Sequence, residues 1–177
     1  MHQLLLLRHA KSSWDDPNQS DHARPLSPRG RAAAQAMRQA FRDLGLAPDM
    51  IVVSSARRTM QTLEELEPWD ETPLVEPMDS LYLATAPAML SALRTVSPTV
   101  RSLLVIGHNP GLHELAMMLV GPDNMARPDS GLRRLAQAYP SGALAEFSVP
   151  GSWAGLQEGG ARLVRFLCPR DLPGVAA

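Results

Sequence analysis

Four consecutive leucines at positions 4–7 limit what this chain can become. A run so short and so apolar reads as a strand buried in a sheet, too short for a membrane span. The runs at 50–53 (Met50, Ile51, Val52, Val53) and 103–106 (Leu103, Leu104, Val105, Ile106) read the same way. Between the first two, Ala32, Ala33, Ala36, Met37, Ala40, Phe41 and Leu44 recur at helical spacing. Ser27 stands as N-cap, Pro28 takes the first helical position and Gly45 stops the helix. Strands separated by helices predict a three-layer α/β/α sandwich with a largely parallel sheet.

The remaining punctuation fills in that plan. Residues 14–25, rich in Asp and Pro, read as a loop, and 57–66 as a helix ending before Pro68. A short strand over 74–76 follows. Thr85 or Ala86 caps a helix with Pro87 in its first turn that runs to about residue 96. Pro110 opens a helix with Leu112, Leu115, Ala116 and Leu119 on one face, and Gly121-Pro122 closes it. Residues 121–142 carry too much Gly, Pro and Asp to assign. Residues 144–149 and 161–167 alternate apolar and polar and pair as late strands across a Gly-rich turn. The expected organisation is one domain over 1–168 and a loose tail over 169–177.

A chain of 177 residues that is 45% hydrophobic builds one proper core. Its net charge of −1 argues against nucleic-acid or membrane-surface partners. Cys168 is the only cysteine, so no intrachain disulfide forms, which suits a reducing compartment. No long apolar segment follows a basic N-terminal region. The expectation is a soluble cytoplasmic protein, monomeric, with no cofactor and no metal.

Chemistry concentrates where strands end. Arg8 and His9 follow the first leucine run, where α/β sheets bind ligands, and Lys11, Ser12 and Ser13 add a cation and two hydroxyls. An arginine at such an edge is costly to bury without an anion or carboxylate partner. Ser54 to Thr62 carries a strand into a helix with Arg57 and Arg58 in its first turn, where backbone N–H groups favour anions. Arg58 is expected to face inward and Arg57 to stay solvated. The run at 103–106 ends in Gly107-His108-Asn109-Pro110, placing His108 between a strand and a helix. His113 falls on the opposite helix face and reads as structural.

These three motifs, in this order and setting, resemble the histidine phosphatase superfamily, which includes the cofactor-dependent phosphoglycerate mutases. The resemblance spans about residues 1–120. Arg8-His9-Ala10-Lys11-Ser12, Asp21-His22-Ala23-Arg24-Pro25-Leu26-Ser27 and Gly107-His108-Asn109-Pro110-Gly111 look like its short bacterial phosphohistidine phosphatase branch. The resemblance implies a phosphoglycerate mutase-like fold and a metal-independent phosphatase working through a phosphohistidine intermediate. His9 would be the nucleophile. Arg8, Arg58 and His108 would hold the phosphoryl oxygens, with Ser12 and Asn109 also binding phosphate. Family members that cleave alkyl phosphates carry an acid before the second histidine motif. Asp79 fits that place better than Glu76. Asp15 stands where mutase-like members have asparagine, and an acid there would repel phosphate.

Other chemistries lack their motifs. The five histidines show no metal-ligand spacing, and there is neither a Gly-x-Ser-x-Gly elbow nor a Gly-Lys-Ser/Thr phosphate loop. A binding module for a phosphorylated ligand, a small-ester phosphatase and a mutase remain as alternatives. The chain has few residues to spare for lids, which favours an open phosphatase site. The expected partner is a protein carrying phosphohistidine, or a small phosphate ester.

Overall fold

In the computed structural model, which describes residues 1–175, the three apolar runs become adjacent strands. The elements in order are β1 (His2–Arg8), α1 (Pro28–Asp43), β2 (Met50–Ser54), α2 (Arg57–Leu66), β3 (Leu74–Met78) and α3 (Ala86–Arg94). They continue with β4 (Ser102–Gly107), α4 (Gly111–Met125), α5 (Ser130–Gln137), β5 (Leu144–Val149) and β6 (Arg162–Leu167). The sheet order is β3-β2-β4-β1-β5-β6, and β1, β2, β3 and β4 run parallel. β5 pairs antiparallel with both β1 and β6, forming the late pair expected from alternation.

The sheet is covered on both faces, as unbroken apolar strands require. Leu5, Leu7, Ile51, Val53, Leu104 and Ile106 pack with Met37, Phe41, Leu63 and Leu66 of α1 and α2. Leu4, Leu6, Val52, Leu103 and Val105 face the other way, against α3 and α4 residues such as Leu90, Leu93, Leu112 and Leu115. The layered α/β/α expectation is met, with Ser27 and Thr85 accepting N-cap hydrogen bonds from Gly30 and Ala88.

Two segments differ from expectation. Gly121, at φ 75° and ψ 162°, breaks the helix where Gly121-Pro122 was expected to close it, but a second helical turn over Pro122 follows at once and carries α4 to Met125. Within the unassigned stretch lies α5, whose cap is Asp129 accepting from the Leu132 N–H at 2.8 Å. The stretch read as a loose tail opens instead with a 3-10 turn at Pro169–Asp171. Pro169 is buried there, and Asp171 accepts from the Cys168 N–H at 3.0 Å and pairs with Arg134. These partners lie on and beside β6 and α5, so local composition carried no sign of them. Residues 176–177 of that stretch lie outside the described part.

Gly30 in α1 lies so close to the loop after β1 that an added Cβ would stand 2.0 Å from the Lys11 carbonyl oxygen. Replacing glycine by alanine inside a helix normally stabilises by about 1 kcal/mol. Here the sign should reverse. Gly30→Ala is expected to lower unfolding stability by about 1 to 3 kcal/mol in a denaturant titration, because the obstacle is backbone. A stabilised variant would show that α1 does not pack on Lys11.

Candidate active site

Strand register brings the two motif histidines together. Arg8 pairs with Gly107 across the parallel β1–β4 ladder, so His9 and His108 leave neighbouring strands at the same level. The His9 N–H donates to the Gly107 carbonyl at 3.2 Å, and the ring centroids lie 5.2 Å apart. β2 flanks β4 on its other side and delivers Arg58 in the first turn of α2. The result is a pocket of about 320 Å³ at the carboxyl edge of the sheet, lined by Arg8, His9, Ser12, Arg58, His108 and Asn109 among others.

Hydrogen bonds fix the imidazole tautomers. His9 Nδ1–H donates to the Ala10 carbonyl at 2.7 Å, which leaves the Nε2 lone pair free. Burial pushes His9 down to about 3, with His108, Arg58 and Arg8 lowering it further, so the ring is neutral near pH 7. His108 Nε2–H donates to Ser54 Oγ at 2.7 Å, and its Nδ1 accepts from the Arg58 guanidinium at 3.3 Å. Burial, then Arg58, pushes His108 down to about 4. Desolvation and the Arg58 charge also lower Arg8.

The guanidinium groups are held before any ligand arrives. Arg8 donates to the Tyr139 carbonyl at 3.0 Å, and Arg58 bonds the Asp21 carbonyl at 2.8 Å and carboxylate at 3.1 Å. Arg58 is 4% exposed, yet its Nε, like that of Arg8, has no protein partner. Buried unpaired donors of this kind mark a place for an anion. Asp21 also pairs with Arg24 at 2.8 Å and accepts from the Tyr82 hydroxyl. Tyr82, then Arg24 and Arg58, hold the Asp21 carboxyl down at about 2.

Most residues expected at the site arrive there, and some do not. Arg8, His9, Ser12, Arg58, His108 and Asn109 line the pocket. Asn109 spends one amide hydrogen on the Tyr139 carbonyl at 2.9 Å, and Ser12 accepts from Arg24. Arg57 is exposed and reaches only the Ala23 carbonyl at 3.5 Å, while His113 bonds the Leu135 carbonyl at 2.6 Å. Asp79 does not line the pocket. It is exposed at the start of a 3-10 turn, and that turn directs Tyr82 toward His108, at 5.4 Å between centroids. Glu76 and Asp15 are also exposed and outside it.

Sequence reasoning missed Asp21, Arg24, Trp14, Tyr82 and Tyr139 as parts of the site. Arg24 lies against the Trp14 ring, 3.1 Å from its centroid, and both line the pocket. The signal for the first two was the 21–27 stretch, whose Asp-x-x-Arg spacing puts both side chains on one face of a single turn.

Both histidines carry a stability signature. Their pKa values fall from an ordinary 6.5 to about 3 and about 4 on folding. Below pH 6.5, down to about 4 for His108 and about 3 for His9, the unfolded chain therefore binds protons that the folded chain refuses. Stability is full above 6.5 and falls as the pH drops through that window. The denaturation midpoint should decline on acidification, and the double variant His9→Gln/His108→Gln should decline less steeply. Parallel curves would show that these imidazoles are not neutral by burial.

The comparisons agree with this geometry. Residues 4–78 match the model of the histidine phosphatase superfamily (branch 1). An uncharacterised protein of Mycobacterium tuberculosis is 33% identical over 168 residues, covering 93% of this chain and all of that protein. A candidate phosphohistidine phosphatase, SixA, from Nakamurella multipartitia superposes with a TM-score of 0.83 at 31% identity, over 95% of this chain and 96% of that one. Its counterpart from Agrobacterium tumefaciens gives 0.80 at 27%, over 95% and 98%. With Arg8-His9 and His108 at neighbouring strand ends, these matches make the chain a member of the histidine phosphatase superfamily.

Proposed function

We propose that this chain is a phosphatase that passes the phosphoryl group through His9 and takes phosphohistidine on proteins as its substrate. The observation that carries the substrate class is the pocket lining, which includes three arginines, a lysine and two imidazoles but no carboxyl group; Asp21, bonded to Arg24 and Arg58 beside it, is held down at about 2 and has no proton to give near pH 7. An alkyl ester needs a placed acid to protonate its leaving oxygen. The P–N bond of phosphohistidine breaks easily once the other ring nitrogen has taken a proton from solvent, because the ring then leaves as neutral imidazole, so a pocket without an acid suits it. The similarity to SixA proteins described as phosphohistidine phosphatases points the same way.

In this reading His9 Nε2 attacks phosphorus in line with the departing imidazole nitrogen; the P–N electron pair returns to that ring, whose other nitrogen already carries a proton, so it leaves as neutral imidazole. Water then attacks the phosphorus of phospho-His9 and releases inorganic phosphate. Arg8 and Arg58 offer the unpaired Nε–H groups noted above to the equatorial oxygens. His108 enters differently from the simple donor expected of it, because its Nδ1 is an acceptor before substrate binds. Burial and then the arginine charges hold its pKa down; a phosphate dianion offsets the second of these, so His108 takes up a proton from solvent and then donates to the phosphoryl group. Ser12 and the second amide hydrogen of Asn109 complete the cradle. Metal-independence is supported by the donor set: among the described residues, no three His, Cys, Asp or Glu side chains converge as ligands.

The decisive experiment is acid–base quenching with labelled phosphohistidine protein. Wild type should show an adduct that acid destroys and base preserves, absent in His9→Ala, which should remain folded and lose turnover. Retained turnover in His9→Ala would end the assignment. Arg58→Ala should cost on the order of a hundred- to a thousandfold in kcat, and Arg57→Ala about twofold or less. Asp79→Asn should leave phosphohistidine hydrolysis unchanged, and activity should persist in EDTA.

A further inference from the structure

A second groove, of about 340 Å³, opens beside the pocket and shares Lys11 and Ser141 with it. One wall is the first turn of α1 with Arg29. The other is the 3-10 turn with Pro169 and Arg170. Lys11, Arg29 and Arg170 are exposed, and none of these side chains makes an ion pair or hydrogen bond among the described residues. Among the described residues no carboxylate side chain lines the groove. The nearest in sequence, Asp171, is occupied by Arg134 and the Cys168 N–H. A chain of net charge −1 thus gathers along one channel three cations that are unpaired among the described residues.

Two further observations set this apart from an ordinary solvated face. The groove is built on the catalytic loop itself. Gly30 brings α1 against the Lys11 backbone, where a Cβ would meet the carbonyl oxygen at 2.0 Å, and Gly142 brings the loop against Pro169, where a Cβ would meet Cγ at 2.9 Å. The Gly142 N–H in turn donates to the Arg8 and His9 carbonyls at 3.1 and 2.9 Å. Arg29 also contradicts the local preference of its helix. The first turn of α1 is the positive end of the dipole and favours a carboxylate, yet it holds no acid. An exposed arginine with no partner among the described residues, at a helix end that favours acids, leaves its charge available to an external anion.

We propose that this groove receives an acidic segment of the phosphoprotein flanking its phosphohistidine, and so selects protein substrates by charge. The proposal rests on the phosphohistidine reading above. Ala32, Ala33 and Pro140 give the groove a narrow apolar floor that an extended chain can lie on. Arg29 and Arg170 bind carboxylates along it, while Lys11 stands at the junction with the pocket.

The test uses three substrates: a synthetic phosphohistidine peptide flanked by glutamates, a matched peptide flanked by lysines, and p-nitrophenyl phosphate. The variant is Arg29→Glu/Arg170→Glu. Neither side chain is engaged in the fold, and a glutamate in the first turn suits α1, so this variant should fold. Wild type at low ionic strength should prefer the glutamate-flanked peptide by about five- to tenfold in kcat/KM, mainly through KM. The preference should shrink in about 0.5 M salt and vanish or invert in the variant, with p-nitrophenyl phosphate turnover unchanged. No preference in wild type, a preference that survives charge reversal, or a parallel loss on p-nitrophenyl phosphate would overturn the groove assignment alone. Turnover of p-nitrophenyl phosphate with neither peptide hydrolysed would overturn the phosphohistidine reading, and the groove with it.

Discussion

Arg8 and Arg58 share one pocket with two buried imidazoles, and much of the surrounding structure answers the repulsion this creates. Each guanidinium must be held without being neutralised. The Tyr139 and Asp21 carbonyls do this as dipoles, accepting at 3.0 and 2.8 Å while leaving the positive charge in place. One carboxylate, Asp21, adds a partial offset, divided between Arg24 and Arg58 and itself bonded by Tyr82. Its side chain is 43% exposed, so water screens the pairing, and the pocket stays strongly positive. Such preorganisation matters because donors already aimed need no rearrangement when charge develops on a phosphoryl group.

The fold supplies the precision this needs through backbone contacts. The β1–β4 register sets the two histidines level, and the Gly142 N–H ties the carbonyls of Arg8 and His9 to the loop entering β5. Tyr139, buried under that loop, bonds the Leu6 carbonyl with its hydroxyl at 2.5 Å while its own carbonyl holds Arg8 and Asn109. The catalytic edge is therefore braced from both the strand side and the loop side.

How much of this the sequence reveals depends on the range of the interaction. The apolar runs, the Ser27-Pro28 cap and the motif histidines are local signals, and the structure keeps them nearly unchanged. The layered fold follows because a strand apolar on every residue must be covered twice. What stayed hidden is held by distant partners. Tyr139 lies in a stretch whose Gly, Pro and Asp content masks α5, and its role comes from a contact 131 residues away in sequence. Asp79 fits the place of the acid in the family the chain resembles, three residues before Tyr82. The 3-10 turn it opens sends the tyrosine toward His108 and leaves the carboxylate at the surface.

The electrostatics of the pocket also bear on whether such a site acts or merely binds. Two protonated imidazoles would serve binding alone, since each would add a full charge for the anion. The structure does the opposite. Burial and the neighbouring arginines push His9 down to about 3 and His108 down to about 4, which sacrifices anion affinity at neutral pH. What neutrality keeps is the lone pair on His9 Nε2, fixed by donation of Nδ1–H to the Ala10 carbonyl at 2.7 Å. A lone pair on nitrogen is of no use for holding phosphate oxygens, which are themselves acceptors. In the proposed mechanism it is the group that attacks phosphorus, and burial keeps it available at neutral pH.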